Sequence, residues 1–323
     1  MNDFKNKNTE PDYWEKFLKN EDFNIFVSNK YCKGIEKLTI SSLNEFNKIV
    51  EIFKKTRSNS KHKFEEYYYW RGQRNVDWEL KSSYDRTPFF LDESGKNREK
   101  TLEILFEKFK EKLIELQNSE KSKNSNTKFA KFDFSDPNKK DEIWAVGQHY
   151  DLPTPLLDWT KNPYIAAYFA FYKNNENKNY KRVVYAFSRK LSQLINKWKN
   201  KDEDLIKIDR PVGIPNSGTF DKELNIRLAA QEGVFTKTEN GRDIESNVKI
   251  FYDKKIENKQ DELVVLLKIN LTDNFQQECL DFLKEKQIKH PTLFPDYNDI
   301  ESCKIKLAVK EVLREIAIQS LEG

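Results

Sequence analysis

Apolar positions along the chain change their spacing several times, and each change predicts an element. Leu43, Phe46, Ile49, Val50 and Phe53 recur three or four residues apart, the spacing of one helical face. That helix carries a start signal. Ser42-Leu43-Asn44-Glu45 fits a capping box, in which a hydroxyl and a carboxylate satisfy two N–H groups left over at the helix start. Tyr67-Tyr68-Tyr69-Trp70 has the aromatic density of a strand, which is expected to stop at Arg71-Gly72. Leu102, Phe106, Phe109, Leu113 and Leu116 form the buried stripe of a second helix over 99–117. Residues 118–140, rich in Ser, Asn and Lys, read as a loop or insertion, and 141–150 as a short helix.

Further along, Arg182 to Ser188 reads as a strand, and 209–220, with Pro211, Gly213, Pro215 and Gly218, as a loop. Residues 224–230 read as helix and 233–236 as a short strand. The most hydrophobic run, 262–269, predicts a central strand, and helices at 273–287 and 299–317 close the chain. Strands and helices mix without regular βαβ alternation. The pattern therefore favours an α+β fold, with a mixed, mostly antiparallel sheet and flanking helices, over a doubly wound one. Residues 1–35 are polar with scattered aromatics and are expected to form an N-terminal extension. That leaves 36–323 as one domain with a polar insertion near 118–140.

Composition adjusts this picture in three ways. Hydrophobic residues are only 37% of the 323, but 23 Phe, 14 Tyr and 6 Trp supply the area for a core. Lys and Arg number 57 against 53 Asp and Glu, a net charge of +4, which gives no nucleic-acid footprint by itself. The 3 cysteines, Cys32, Cys279 and Cys303, lie far apart with no Cys-x-x-Cys pair, so neither a metal site nor a disulfide framework is expected. No signal-peptide core follows Met1, and no apolar run approaches the roughly 20 residues that span a bilayer. The expectation is a soluble, cytoplasmic protein with no membrane partner.

Three stretches can carry chemistry. Trp70-Arg71-Gly72-Gln73 puts a planar guanidinium at a strand end, suited to a phosphate or carboxylate, or to an internal ion pair. Gly72 allows a ligand or a second backbone to come close. Gln148-His149-Tyr150-Asp151-Leu152-Pro153-Thr154-Pro155-Leu156-Leu157-Asp158-Trp159-Thr160 is the most informative stretch. Its prolines fix an extended segment. Asp158 and Thr160 sit among apolar neighbours and need partners if buried, and His149 can donate, accept or carry a proton. Asn162-Pro163 then caps a helix whose small residues, Ala166, Ala167 and Ala170, permit close packing. In the third stretch, Arg227 to Thr236, a helix feeds through Gln231-Glu232-Gly233 into a strand. Glu232 suits a ribose hydroxyl or a developing cation, or is a surface Glu beside a turn Gly.

Together these stretches resemble the FRG-domain family. The resemblance runs through the aromatic-Arg-Gly motif at Trp70-Arg71-Gly72-Gln73, the signature from Gln148 to Thr160 and the Ala-x-x-Phe-Ala helix at Ala166–Ala170. It continues through Gln231 to Phe235 and Leu293-Phe294-Pro295-Asp296, and covers roughly 35–315. One departure is Gln231-Glu232-Gly233, where the family commonly has Gln-Gln-Gly. Many such proteins occur in mobile or defence-related bacterial gene neighbourhoods, so the resemblance implies an effector or toxin role in antiviral defence.

The aromatic-Arg-Gly motif also looks like the first motif of ADP-ribosyltransferases, which implies NAD as substrate and no metal. On that analogy the chain is a transferase or an NAD glycohydrolase. Arg71, Thr160 (or Thr154), Gln231 and Glu232 are its candidate catalytic residues. Trp70, Gly72, Gln73, His149, Asp158 and Trp159 are its candidate binding residues, with Arg71 and Gln73 expected to share a cleft with Asp158, Trp159 and Gln231. The acceptor would be a protein side chain, a nucleic acid or water. The alternative is a non-catalytic module that grips nucleic acid or protein through Tyr67–Tyr69, Trp78, Arg74 and Arg86.

Overall fold

In a computed structural model the described residues are 35–58, 68–87, 97–121, 128–173, 181–188, 208–213, 226–238, 241–255, 266–295 and 300–322. The elements in chain order are β1 (Ile35–Ile40), α1 (Leu43–Ser58), β2 (Tyr68–Gln73), α2 (Arg98–Lys121), α3 (Lys128–Lys131), α4 (Lys140–His149), β3 (Leu156–Thr160) and α5 (Pro163–Phe171). They continue with β4 (Arg182–Ser188), β5 (Ile208–Gly213), α6 (Ile226–Ala230), β6 (Gly233–Thr238), α7 (Ile244–Lys255), β7 (Leu266–Leu271), α8 (Gln276–Glu285), α9 (His290–Leu293) and α10 (Ile300–Glu322). The chain divides into two compact units, each assembled from three segments.

The first unit takes 1–79, 160–206 and 244–288. Its strands lie in the order β1-β7-β4-β2, with β1 parallel to β7 and the other two pairs antiparallel. This is the mixed, mostly antiparallel sheet with flanking helices that the pattern predicts. The start of α1 is capped much as expected. Ser42 Oγ accepts from Glu45 N at 3.2 Å, while the Glu45 carboxylate accepts from Ser41 N at 2.7 Å, one residue earlier than a standard box.

Strand residues alternate between faces. One face holds Trp70, Ala186 and Leu267 in one row, and Gly72, Val184, Ile269 and Leu38 in another. Phe53 of α1 packs edge-on against Tyr68 and Trp70 at 4.8 and 4.9 Å between ring centroids. Helix α5 crosses directly over Gly72. Arg182, 1% exposed, holds the far end of that helix: Nη1 donates to Ala170 O at 2.5 Å and Lys173 O at 3.1 Å, while Nε pairs with Asp273. β2 does not stop at Arg71-Gly72 as expected. Its ladder to β4 runs on through Arg71↔Tyr185, Gly72↔Val184 and Gln73↔Val183.

The second unit takes 80–159, 207–243 and 289–323. Its strands lie in the order β3-β6-β5. The expected loop at 209–220 begins as strand β5, antiparallel to β6, with the register slipping between Asp209 and Val212. Pro211 sits in that slip, on an end strand, where a missing N–H is tolerated. Residues 214–220 lie outside the described residues. The core joins Phe106, Phe109 and Leu113 of α2 with Trp144 of α4, Phe235 of β6 and Val312 of α10. The described residues of the polar stretch at 118–140 are not all loop. α2 runs to Lys121, Phe129, Phe132 and Phe134 join the core, and Gln117 Nε2 donates to the carbonyls of Phe129 (2.9 Å) and Phe132 (2.5 Å). A bidentate Arg98–Asp85 pair at 2.6 and 3.0 Å, with Arg98 also donating to Thr238 O at 3.1 Å, ties the start of α2 to the end of β6.

Candidate functional site

A Cβ added to Gly72 would point at α5, so Arg71 and Gln73 on either side of it face the other way. The ladders extend them into two rows. Arg71 pairs with Tyr185 and Tyr185 with Lys268; Gln73 pairs with Val183 and Val183 with Asn270. Cross-strand partners share a face, so all six residues lie on one side of the sheet, the rows separated by about 7 Å along the strands.

Helix α7 lays Glu245 on this side. Its carboxylate accepts from Lys268 Nζ at 2.8 Å and from the Tyr185 hydroxyl at 3.1 Å, and Lys268 Nζ stands 5.3 Å from the Tyr185 ring centre. The Lys268 and Glu245 side chains are 11% and 16% exposed, a setting where charge–charge attraction is stronger than in water. Arg71 and Lys268 place two cations in this row, and Glu245 sets a carboxylate beside them. In the second row Gln73 is 4% exposed, and among the described residues neither its Nε2 nor its Oε1 has a hydrogen-bond partner; Asn270 Oδ1 is in the same state. Buried polar groups of this kind are uncommon in folded proteins.

Trp70 and Thr160 belong to the opposite face. Thr160 pairs with Trp70, and its hydroxyl accepts from Asn162 N at 3.0 Å. Asn162 Oδ1 in turn accepts from Tyr164 N at 3.0 Å, capping α5 as expected. The Thr160 hydroxyl thus turns the chain into a helix.

His149, Asp158, Trp159, Gln231 and Glu232 belong to the second unit. There Gln148 bridges two parts of its own motif: Nε2 donates to Asp158 Oδ1 at 2.5 Å and Oε1 accepts from the Thr154 hydroxyl. Thr154 is fully buried, and its N–H donates to Ser83 Oγ at 3.0 Å. Asp158 itself is exposed. Trp159 is buried and donates to Thr236 Oγ1 at 2.8 Å. His149 stacks on Tyr150 at 4.7 Å, and its carbonyl accepts from Arg227 at 3.5 Å. Gln231 Nε2 donates to Leu293 O at 3.0 Å, bringing the Gln-x-Gly-Val-Phe and Leu-Phe-Pro segments together. Glu232 is exposed with φ 47°, the left-handed residue that ends α6.

The family model of the FRG domain matches residues 66–179. The chain carries a match to the FRG domain over that span. The match holds the Trp70–Gln73 motif, the Gln148–Thr160 signature and the α5 helix, and it ends before the Gln231 and Leu293 segments. No curated protein and no solved structure matches the chain.

Within the FRG motif, the geometry settles one open choice: the close backbone that Gly72 admits is that of α5. It leaves Arg71 and Gln73 on the polar rows. The sequence reading missed Tyr185, Glu245, Lys268 and Asn270. Lys268 and Asn270 left a trace, since they are polar residues two apart at the end of the most apolar run in the chain. The tyrosines expected at a stacking surface are core, with Tyr68 and Tyr69 buried and Tyr67 outside the described residues. Trp78 is 41% exposed, with the Arg74 guanidinium 5.3 Å over its ring. Among the described residues no helix is long and apolar enough to cross a membrane.

Proposed function

We propose that the protein uses NAD, in an ADP-ribosyltransferase-like reaction, at the Arg71–Tyr185–Lys268 row. The observation that carries this reading is a single sheet row that sets Arg71 and Lys268 beside a mostly buried carboxylate, Glu245. Arg71 offers a planar fork to a pyrophosphate and Lys268 a point charge. Breaking the nicotinamide–ribose bond sends the bonding electrons to the nicotinamide ring nitrogen and leaves positive charge on the ribose. A carboxylate in a low-dielectric setting stabilises that charge. The acceptor oxygen or nitrogen then bonds to the ribose carbon and loses its proton. Glu245 replaces Glu232 as the assigned carboxylate, because Glu232 is exposed at a helix end. Thr160 drops out of the set, its hydroxyl engaged on the other face. An effector role in defence rests on the family resemblance alone.

The test is nicotinamide release from NAD by the purified protein, with protein extract, nucleic acid or water as acceptor. Release is expected in at least one arm, and Arg71→Ala and Glu245→Gln each lower it by about 100-fold while the fold persists. Absence of release in every arm, together with absence of NAD binding, overturns the proposal.

The exposed Trp78, with the Arg74 guanidinium over its ring, favours a second reading, a stacking contact for single-stranded nucleic acid. A gel shift lost in Trp78→Ala supports it, and no shift on any single strand removes it.

A further inference from the structure

We infer that Gln73, Val183 and Asn270 form a subsite for a planar nitrogen heterocycle that carries a neighbouring donor and acceptor, with Gln73 and Asn270 as its specificity-determining ends. The inference rests on reading the neighbouring cationic row as the phosphate site. Gln73 and Asn270 face the same side because each is the register partner of Val183. Strands lie about 4.8 Å apart, so the two backbones are about 10 Å apart, with an isopropyl group between them. That is the footprint of a flat ring lying on an apolar floor with an amide at each edge.

The polar inventory agrees. A Gln amide offers a carbonyl acceptor and an N–H donor side by side, the complement of a carboxamide or of the donor–acceptor edge of a purine. Both atoms of Gln73 are buried with no hydrogen-bond partner among the described residues, and so is Asn270 Oδ1. A well-packed apolar residue would suit the position if packing were its whole role, since an unsatisfied buried amide is costly. The cationic row lies two residues along the same strands, about 7 Å away, which is the reach of a ribose between a base and its phosphate. The two sources of this chemistry are a nicotinamide and an adenine.

Ribose 5-phosphate, nicotinamide mononucleotide and adenosine monophosphate separate the two parts by calorimetry. Ribose 5-phosphate reports the cationic row alone, and the added ring in the other two reports the subsite. The expected result is that one of the two mononucleotides binds the full chain about tenfold tighter than ribose 5-phosphate. That preference disappears in both Gln73→Leu and Asn270→Leu, with ribose 5-phosphate binding retained. A preference for nicotinamide mononucleotide identifies the source as the nicotinamide end, and one for adenosine monophosphate as the adenine end. If ribose 5-phosphate binds and neither ring adds affinity, or the preference survives both substitutions, the subsite is overturned and the phosphate row stands. If none of the three binds, the row fails and the subsite with it. Two substitutions at opposite ends keep the test decisive if one of them does not fold.

Discussion

Gly72 and Ala166 approach so closely that a Cβ at position 72 would lie 1.8 Å from the Ala166 carbonyl oxygen and 2.8 Å from Ala170 N. The obstacle is helix backbone, which cannot swing aside as a side chain can. Gly72→Ala must push α5 off the sheet and disturb the ladder that holds Arg71 and Gln73. We expect a loss of about 3 kcal/mol or more, measured by urea unfolding. Gly147→Ala is the control. Its added Cβ would meet Leu152 Cδ2 at 2.7 Å and Phe109 Cε1 at 2.9 Å, side-chain atoms that can move, so it should cost less.

What the sequence revealed and what it hid follow from the range of the interactions. The start of α1 was legible because Ser42 and Glu45 act within one turn. β4 was legible because its run of β-branched and aromatic residues is local. β1 lay at the edge of the expected extension, because its parallel partner β7 is near the far end of the chain. α7 passed unnoticed with a short apolar stripe, Ile244 and Val248. In the site, Arg71 and Gln73 came from a motif. Lys268 and Asn270 came from register, which is fixed by pairing between distant strands and is written in no single stretch, and Glu245 from a helix that packs its carboxylate onto Lys268.

Gln73 should trade stability for function. Gln73→Leu removes two buried polar atoms that lack hydrogen-bond partners among the described residues and keeps similar volume. We expect the variant to be more stable by about 1 kcal/mol in a urea titration, while nicotinamide release falls. A variant less stable than the parent would mean that Gln73 is held by bonds within the fold.

Burial pushes the Cys279 thiol up to about 12 from 9.0, and Tyr84 to about 12 from 10.0. Both groups are neutral in the folded state and ionise first in the unfolded chain. Their stabilising contribution is therefore complete below pH 9 and is lost as pH rises toward 12. Urea midpoints between pH 8 and pH 11 should fall as pH rises, and Cys279→Ala should flatten the early part of that fall. An equal slope in the variant would place the alkaline loss elsewhere.

Thr154 and Asp158 flank Gln148 and test which end of its bridge holds the FRG signature in shape. Thr154 is fully buried; its hydroxyl donates to Gln148 Oε1 and accepts from Leu156 N at 3.3 Å. Replacing it with Val keeps the volume and strands the Gln148 carbonyl, at a cost of about 1–3 kcal/mol. Asp158 is exposed, so water can take over the bond that Gln148 Nε2 donates. Asp158→Ala should cost less than about 1 kcal/mol. Thermal melts of the two variants check the order. If Asp158→Ala proved the more damaging, the bridge would be anchored through its carboxylate. The buried hydroxyl would then be incidental to the way Gln148 joins the end of α4 to β3.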